Sequence, residues 1–249
     1  MRAQKVDIVF AVDASDSMTP CFHKLRDNLR RFIEPLDQAG FEIRYGLLAY
    51  NAGFGPDGGA CWHFDFIGGS GHHYLMGLYS PQIDPDRYFT RDAAKFLQAL
   101  DSVVTRGDED SFMALDVAGD FPFADLAESR RVIAFFSDEK MEDGICGTKP
   151  MTEFREVLAK IVKRKIALHA FLPACDAAAM MTHLPKSIIT EVPEGDRCWD
   201  HLDFGKILTQ MGQSISVSTL QMGGEPEYRK AVYGQDKFFC VDKINMTGR

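Results

Sequence analysis

Two short acidic stretches carry the side chains best suited to chemistry: Asp13-Ala-Ser15-Asp-Ser17 and Ser137-Asp138. A hard divalent cation such as Mg²⁺ takes near-octahedral oxygen ligands at about 2.0–2.1 Å and keeps several waters. Two hydroxyls and two carboxylates drawn from separate loops meet that need. Alternation through a tight turn directs Asp13, Ser15 and Ser17 to one side and leaves Asp16 facing elsewhere. In isolation, Asp-x-Ser-x-Ser reads more simply as a turn and helix N-cap. Its position, directly after a buried strand and before an amphipathic helix, favours the metal.

The elements that must hold these loops are legible in the apolar pattern. Val6-Asp-Ile-Val-Phe-Ala-Val12 is nearly continuous and β-branched, as a parallel strand buried on both faces requires. Leu25, Leu29, Phe32, Ile33 and Leu36 then recur at helical spacing, with Gly40 as a stop. Phe41 to Tyr50 alternates as a second strand, and Trp62, Phe64 and Phe66 alternate again after the Gly55-Pro-Asp-Gly-Gly59 turn. The two read as an antiparallel hairpin with the later strand at the sheet edge. Residues 68 to 89 have no clear period and read as an irregular surface excursion flanking the recognition face. Thr90 is a candidate N-cap for a helix using Ala94, Phe96, Leu97 and Leu100.

A helix at 110–119, the strand Arg131–Phe136, a helix at 151–164 and the strand Ile166–Leu172 follow. A short helix at 176–183, a weak strand at Ile188–Val192 and a helix marked by Phe204, Ile207, Leu208, Met211 and Ile215 complete the pattern. This alternation predicts a doubly wound α/β fold: a mostly parallel sheet, helices on both faces, and one antiparallel edge strand. The simplest division is one domain over 1–215 and a C-terminal extension, 216–249, left unassigned.

In open sheets of this kind ligands sit beyond the strands' C-terminal ends, where the topology reverses. Here the resemblance becomes specific. Val9-Phe-Ala-Val-Asp13-Ala-Ser-Asp-Ser-Met18 resembles the Asp-x-Ser-x-Ser signature of the metal-ion-dependent adhesion site in von Willebrand factor A domains. Ala114-Leu115 and Ile133-Ala-Phe-Phe-Ser-Asp138 stand where that family has its later elements, so the resemblance covers roughly residues 5 to 215. It implies that Ser15 and Ser17 bind the cation directly and that Asp13 and Asp138 act mainly through bound water. It implies Mg²⁺, or Mn²⁺ or Ca²⁺, with one metal position open for an acidic side chain of a protein partner, and binding rather than catalysis.

One loop departs from the pattern. Where many members carry Gly-x-Thr, this chain reads Arg106-Gly-Asp108-Glu109-Asp110-Ser111. Asp108 is the first candidate for the missing ligand and Glu109 the second. Either would bring negative charge that threonine lacks, weakening the pull on an acidic partner. The alternative is that these acids are solvated or cap the helix at 110–119.

Other constellations are weaker. Cys61, His63, His72 and His73 match no defensible zinc spacing, and Cys198-x-x-His201 is a half-site. No Gly-x-Ser-x-Gly elbow occurs, and Gly144-x-x-Gly-Thr-Lys149 lacks the interval of a phosphate-binding loop. A metal-dependent hydrolase or phosphotransferase using Asp13 is the enzyme alternative, and a metal-independent scaffold is the third reading. The basic run Lys160-x-x-Lys163-Arg164-Lys165 reads as the solvated end of a helix.

With 28 Lys and Arg against 36 Asp and Glu, the net charge of −8 argues against nonspecific attraction to nucleic acid or anionic lipid. No apolar run approaches the roughly 18 residues of a membrane span. The N-terminal residues lack a signal-peptide pattern, so the expected compartment is the cytoplasm. The six cysteines, none in a Cys-x-x-Cys pair, read as free thiols.

Overall fold

The computed structural model describes residues 4–19, 23–24, 41–54, 60–74, 88–141 and 151–194. The expected helix over 25–36, the turn at 55–59, the Gly144–Lys149 loop, the helix at 204–215 and the extension lie outside them. So do Cys21, Cys146, Cys198, His201 and Cys240.

Within them, β1 (Gln4–Asp13) lies at the centre of an eight-stranded sheet. It pairs in parallel with β2 (Phe41–Phe54) on one side and β6 (Ser129–Phe136) on the other. Beyond β6 come β7 (Ala167–Leu172) and β8 (Ser187–Glu191), both parallel. Beyond β2 come β3 (Ala60–Phe66) and β4 (Gly69–Tyr74), each antiparallel to its neighbour. The two residues of β5 (Phe89–Thr90) also pair antiparallel with β2.

The apolar run of β1 exists because both faces are covered. Val9 and Ala11 join a core with α2 (Ser111–Gly119), α3 (Met151–Lys163) and α4 (Asp176–Met181). Ile8, Phe10 and Val12 face the other way, against Phe96 and Leu100 of α1 (Ala93–Asp101). In α3, Phe154, Val157, Leu158 and Ile161 form one buried stripe at helical spacing. The sheet is therefore doubly wound and mostly parallel. Chain order runs outward from β1 through β2 and returns on its other side at β6, so the topology reverses between β1 and β6. Their C-terminal ends border the crevice.

The antiparallel margin is wider than expected. β3 does pair with β2, Tyr50 opposite Phe64, but β4 lies outside it at the edge. β4 was invisible in the alternation because strand addition satisfies main-chain groups and needs no apolar side chain. The end of the supposed excursion is core as well. Tyr88 and Phe89 are buried, and Tyr88 packs on Phe66 and Phe121 with ring centroids 5.1 and 5.4 Å apart. Gly46 makes room for this, since a Cβ there would lie 2.9 Å from the Phe89 ring.

The N-cap of α1 is Asp92, whose carboxylate accepts from Ala94 N and Lys95 N; Thr90 instead accepts from Asp92 N. The basic run at the end of α3 is not simply solvated. Lys160 Nζ bonds Asp116 and Asp120 at 2.6 Å, and Arg164 donates to the carbonyls of Gly119 and Phe121. Both fasten the end of α2 onto α3.

His169 on β7 is buried, and burial lowers its pKa from 6.5 to about 4. The unfolded chain takes up this proton near pH 6.5 and the folded chain only near 4. Its contribution is full above pH 6.5 and lost as pH falls towards 4, at about 1.4 kcal/mol per pH unit. His169→Leu should remove that dependence. Urea unfolding at pH 7.5 and 5 should show the native protein losing about 2 kcal/mol more than the variant. Parallel losses in the two proteins would refute it.

Candidate metal centre

β1 ends at Asp13, fully buried at the crevice. Its Oδ1 accepts from Ser15 N at 2.8 Å, which turns the chain sharply out of the strand. Its Oδ2 accepts from Ser137 Oγ at 3.0 Å, tying the loop after β6 to the end of β1. One carboxylate thus organises both acidic loops. A 3₁₀ turn over Asp16–Met18 follows, and the hydroxyls of Ser15 and Ser17 stand 3.1 Å apart. Asp16 is exposed, as alternation predicts.

The third loop is held by backbone. Arg106 N donates to Ala14 O at 2.8 Å and Asp16 N to Gly107 O at 3.4 Å. Ala52 and Asp108 exchange both main-chain bonds in an antiparallel bridge, at 2.8 and 3.2 Å. Gly107 adopts φ +66°, and a Cβ there would sit 2.8 Å from Ala52 O, so the loop demands glycine. Because side chains alternate along the bridged segment, Asp108 and Glu109 part company. Asp108 is exposed, whereas Glu109 is half-buried and feels the charge of Asp13.

Asp110 serves the fold: it caps α2 through Met113 N at 2.9 Å and accepts from Trp62 Nε1 at 2.6 Å. Behind Asp13 runs a chain of hydroxyls. Tyr50 and Ser111 are 2.9 Å apart, and Ser111 donates to Ser137 at 3.3 Å. Sequence reasoning missed Tyr50, Ser111 and Glu139. Tyr50 and Ser111 carry no local signal, whereas Glu139 stands beside Asp138 and could have been included.

The electrostatics describe an edge short of positive charge. Burial raises the pKa of Asp13 from 3.8 to about 7, against the bonds from Ser15 and Ser137, and the like charge of Asp138 adds to it. Burial also pushes Glu109 well up, reinforced by its hydrogen bond with Glu139 and by the charge of Asp13. Tyr50 is raised by burial and then by Asp13.

The residues fit a hard cation by donor chemistry. Cis ligands of an octahedron with bonds of about 2.1 Å lie about 3.0 Å apart, and the two serine hydroxyls stand at 3.1 Å. Asp138 is fully buried, close enough to Asp13 for their charges to interact. Among the described residues no three His, Cys, Asp or Glu side chains form a metal-holding group, so any such site here must count the serines. His63 is buried, with Nε2 3.1 Å from Asp65 Oδ1. Cys61 and Cys175 are free thiols.

The chain is thus a doubly wound α/β domain with acidic and hydroxyl-bearing loops at its topological reversal. The match of residues 7–173 to the von Willebrand factor type A domain places this chain in that family, whose members commonly mediate protein–protein interactions. A sequence search of curated proteins finds no match. Among solved structures, the hypothetical protein BatB from Bacteroides thetaiotaomicron is similar with a TM-score of 0.51 at 13% identity, covering 87% of this chain and 100% of that one. Proximal thread matrix protein 1 from the mussel byssus aligns with a TM-score of 0.49 at 14% identity over 85% of this chain. This chain spans 46% of the mussel protein's length. The likeness to BatB concerns the fold alone. No helix among the described residues is long and apolar enough to cross a membrane.

Proposed function

We propose that this domain is a metal-dependent protein-binding module. Ser15 and Ser17 hold Mg²⁺, or Mn²⁺ or Ca²⁺, directly, with Asp13 and Asp138 in support. The observation that carries this reading is the buried Asp13 carboxylate, bonded to Ser15 and Ser137 beside Asp138 at the reversal of the sheet. The bound ion would supply a positive centre through which a partner's oxygen or a bridging water is gripped. Binding is favoured over turnover because phosphate-transferring enzymes with an Asp in this place commonly need a second carboxylate two residues on, and that residue is Ser15.

On this reading Glu109, half-buried where Asp108 is exposed, stands in for the threonine of the usual pattern. Removing it should weaken the hold on metal. Calorimetry with Mg²⁺ should show one site in the native protein, an affinity about 10-fold lower in Glu109→Thr, and a change within about twofold in Asp108→Thr. No heat of Mg²⁺ binding in the native protein would end the metal reading, and equal affinities in all three would return Glu109 to solvent.

A further inference from the structure

We infer that the partner bound at this edge presents a basic group flanked by apolar side chains, not an acidic one. The inference rests on the reading above for its location. The loops that converge on the site, residues 13–19, 104–110 and 137–139, contain seven acids and one base, Arg106, a formal charge of −6. A bound dication leaves −4. An incoming carboxylate must approach against that surplus, and an ammonium or guanidinium is drawn along it.

Three of the acids are buried, Asp138 among them. Asp110 is buried and bonded to Trp62 and Met113, and Asp13 is buried beneath the loops. Asp16, Asp108 and Glu139 are exposed, so the accessible charge is negative as well.

Apolar surface adjoins this charge. Phe54 is 64% exposed and Val104 65% exposed, the highest values among the large apolar side chains described. Phe54 lies two residues past Ala52, which bridges Asp108, and Val104 lies two residues before Arg106, which bonds Ala14. Both therefore sit on the C-terminal edge of the sheet, beside the acidic loops. An exposed aromatic next to accessible acids suits a segment that alternates cationic and apolar residues.

The test uses the full chain and three labelled synthetic peptides of equal length: alternating Lys and Leu, alternating Glu and Leu, and alternating Lys and Ser. Fluorescence anisotropy is read with Mg²⁺ and with chelator, beside a separate Mg²⁺ titration. The Lys/Leu peptide should bind about tenfold more tightly than either other, and the preference should shrink as salt rises. Phe54→Ser should weaken its binding severalfold, and Asp16→Asn with Asp108→Asn should do the same; all three are exposed, so folding is not at stake. A Glu/Leu peptide that binds more tightly in Mg²⁺ and is released by chelator would overturn the inference while leaving the metal reading intact. Binding of no peptide, or equal binding of Lys/Leu and Lys/Ser, overturns it too. If Mg²⁺ alone gives no heat but the order of peptides holds, the metal reading falls and the basic-partner surface stands.

Discussion

Asp13→Asn should stabilise the metal-free protein and abolish its response to Mg²⁺. The Asp13 carboxyl titrates at about 7 in the folded chain against 3.8 when unperturbed. Between those values the folded state holds a proton that the unfolded state has lost. The stability this gives is fully present below pH 4 and disappears as pH rises to 7, so at pH 8 the metal-free fold bears a cost of about 4 kcal/mol. An asparagine amide is neutral throughout. Its oxygen can accept from Ser15 N, and its amide can donate to Ser137, whose own hydrogen can turn to Glu139 O, 3.2 Å away.

Recovering about half of the cost would raise melting at pH 8 in chelator by about 4–8 °C. Mg²⁺ should raise the native melting temperature, because a ligand that binds only the folded state stabilises it, and should leave the variant unmoved. Thermal unfolding of both proteins with Mg²⁺ and with chelator decides the matter. Equal Mg²⁺ shifts, or a variant less stable than native in chelator at pH 8, would show that Asp13 is not the strained, metal-linked group described. On the proposed metal reading, the local cost of burying Asp13 beside Asp138 is one that cation binding would offset.

The largest loss of stability should come from the opposite edge of the sheet, at Asp7. Asp7 is 1% exposed near the start of β1. Its carboxylate accepts from Arg44 Nε at 2.7 Å and Nη2 at 2.6 Å, and from Ala124 N at 2.7 Å. The Arg44 guanidinium lies 4.6 Å over the Phe89 ring. Asp7→Ala would leave a partly buried cation and a backbone N–H without an acceptor, a situation that typically costs about 3–5 kcal/mol. Asp7→Asn keeps one acceptor oxygen and should cost about half as much. Urea unfolding of both variants measures this, and a loss under about 1 kcal/mol in Asp7→Ala would show that water replaces the carboxylate. Mg²⁺ affinity should be unchanged in either variant, since neither contact reaches the loops beyond the C-terminal ends of β1 and β6.

What the sequence by itself determined is what short-range pattern encodes. β1, β6 and β7 are continuous apolar runs because each is covered on both faces, and α3 shows its stripe because one face alone is buried. Asp13, Ser15 and Ser17 are neighbours in the chain, so a single turn suffices to group them, and Asp138 stands directly after a recognisable strand. The family was legible for the same reason.

The tertiary structure alone decided the features whose partners lie far away in sequence. β4 forms because β3 offers unpaired main-chain groups, a need that leaves no mark on the side chains of residues 69–74. Tyr88 and Phe89 are core because Phe66 and Phe121 come to meet them. Asp110 belongs to Trp62, 48 residues earlier. The different burial of Asp108 and Glu109 shows this most clearly. Two adjacent acids are indistinguishable as letters, but the antiparallel bridge between Ala52 and Asp108 sets the phase of alternation, turning one outward and the other towards Asp13. The titration of Asp13 follows the same logic, because burial is a property of the whole fold and a carboxyl group carries no sign of it.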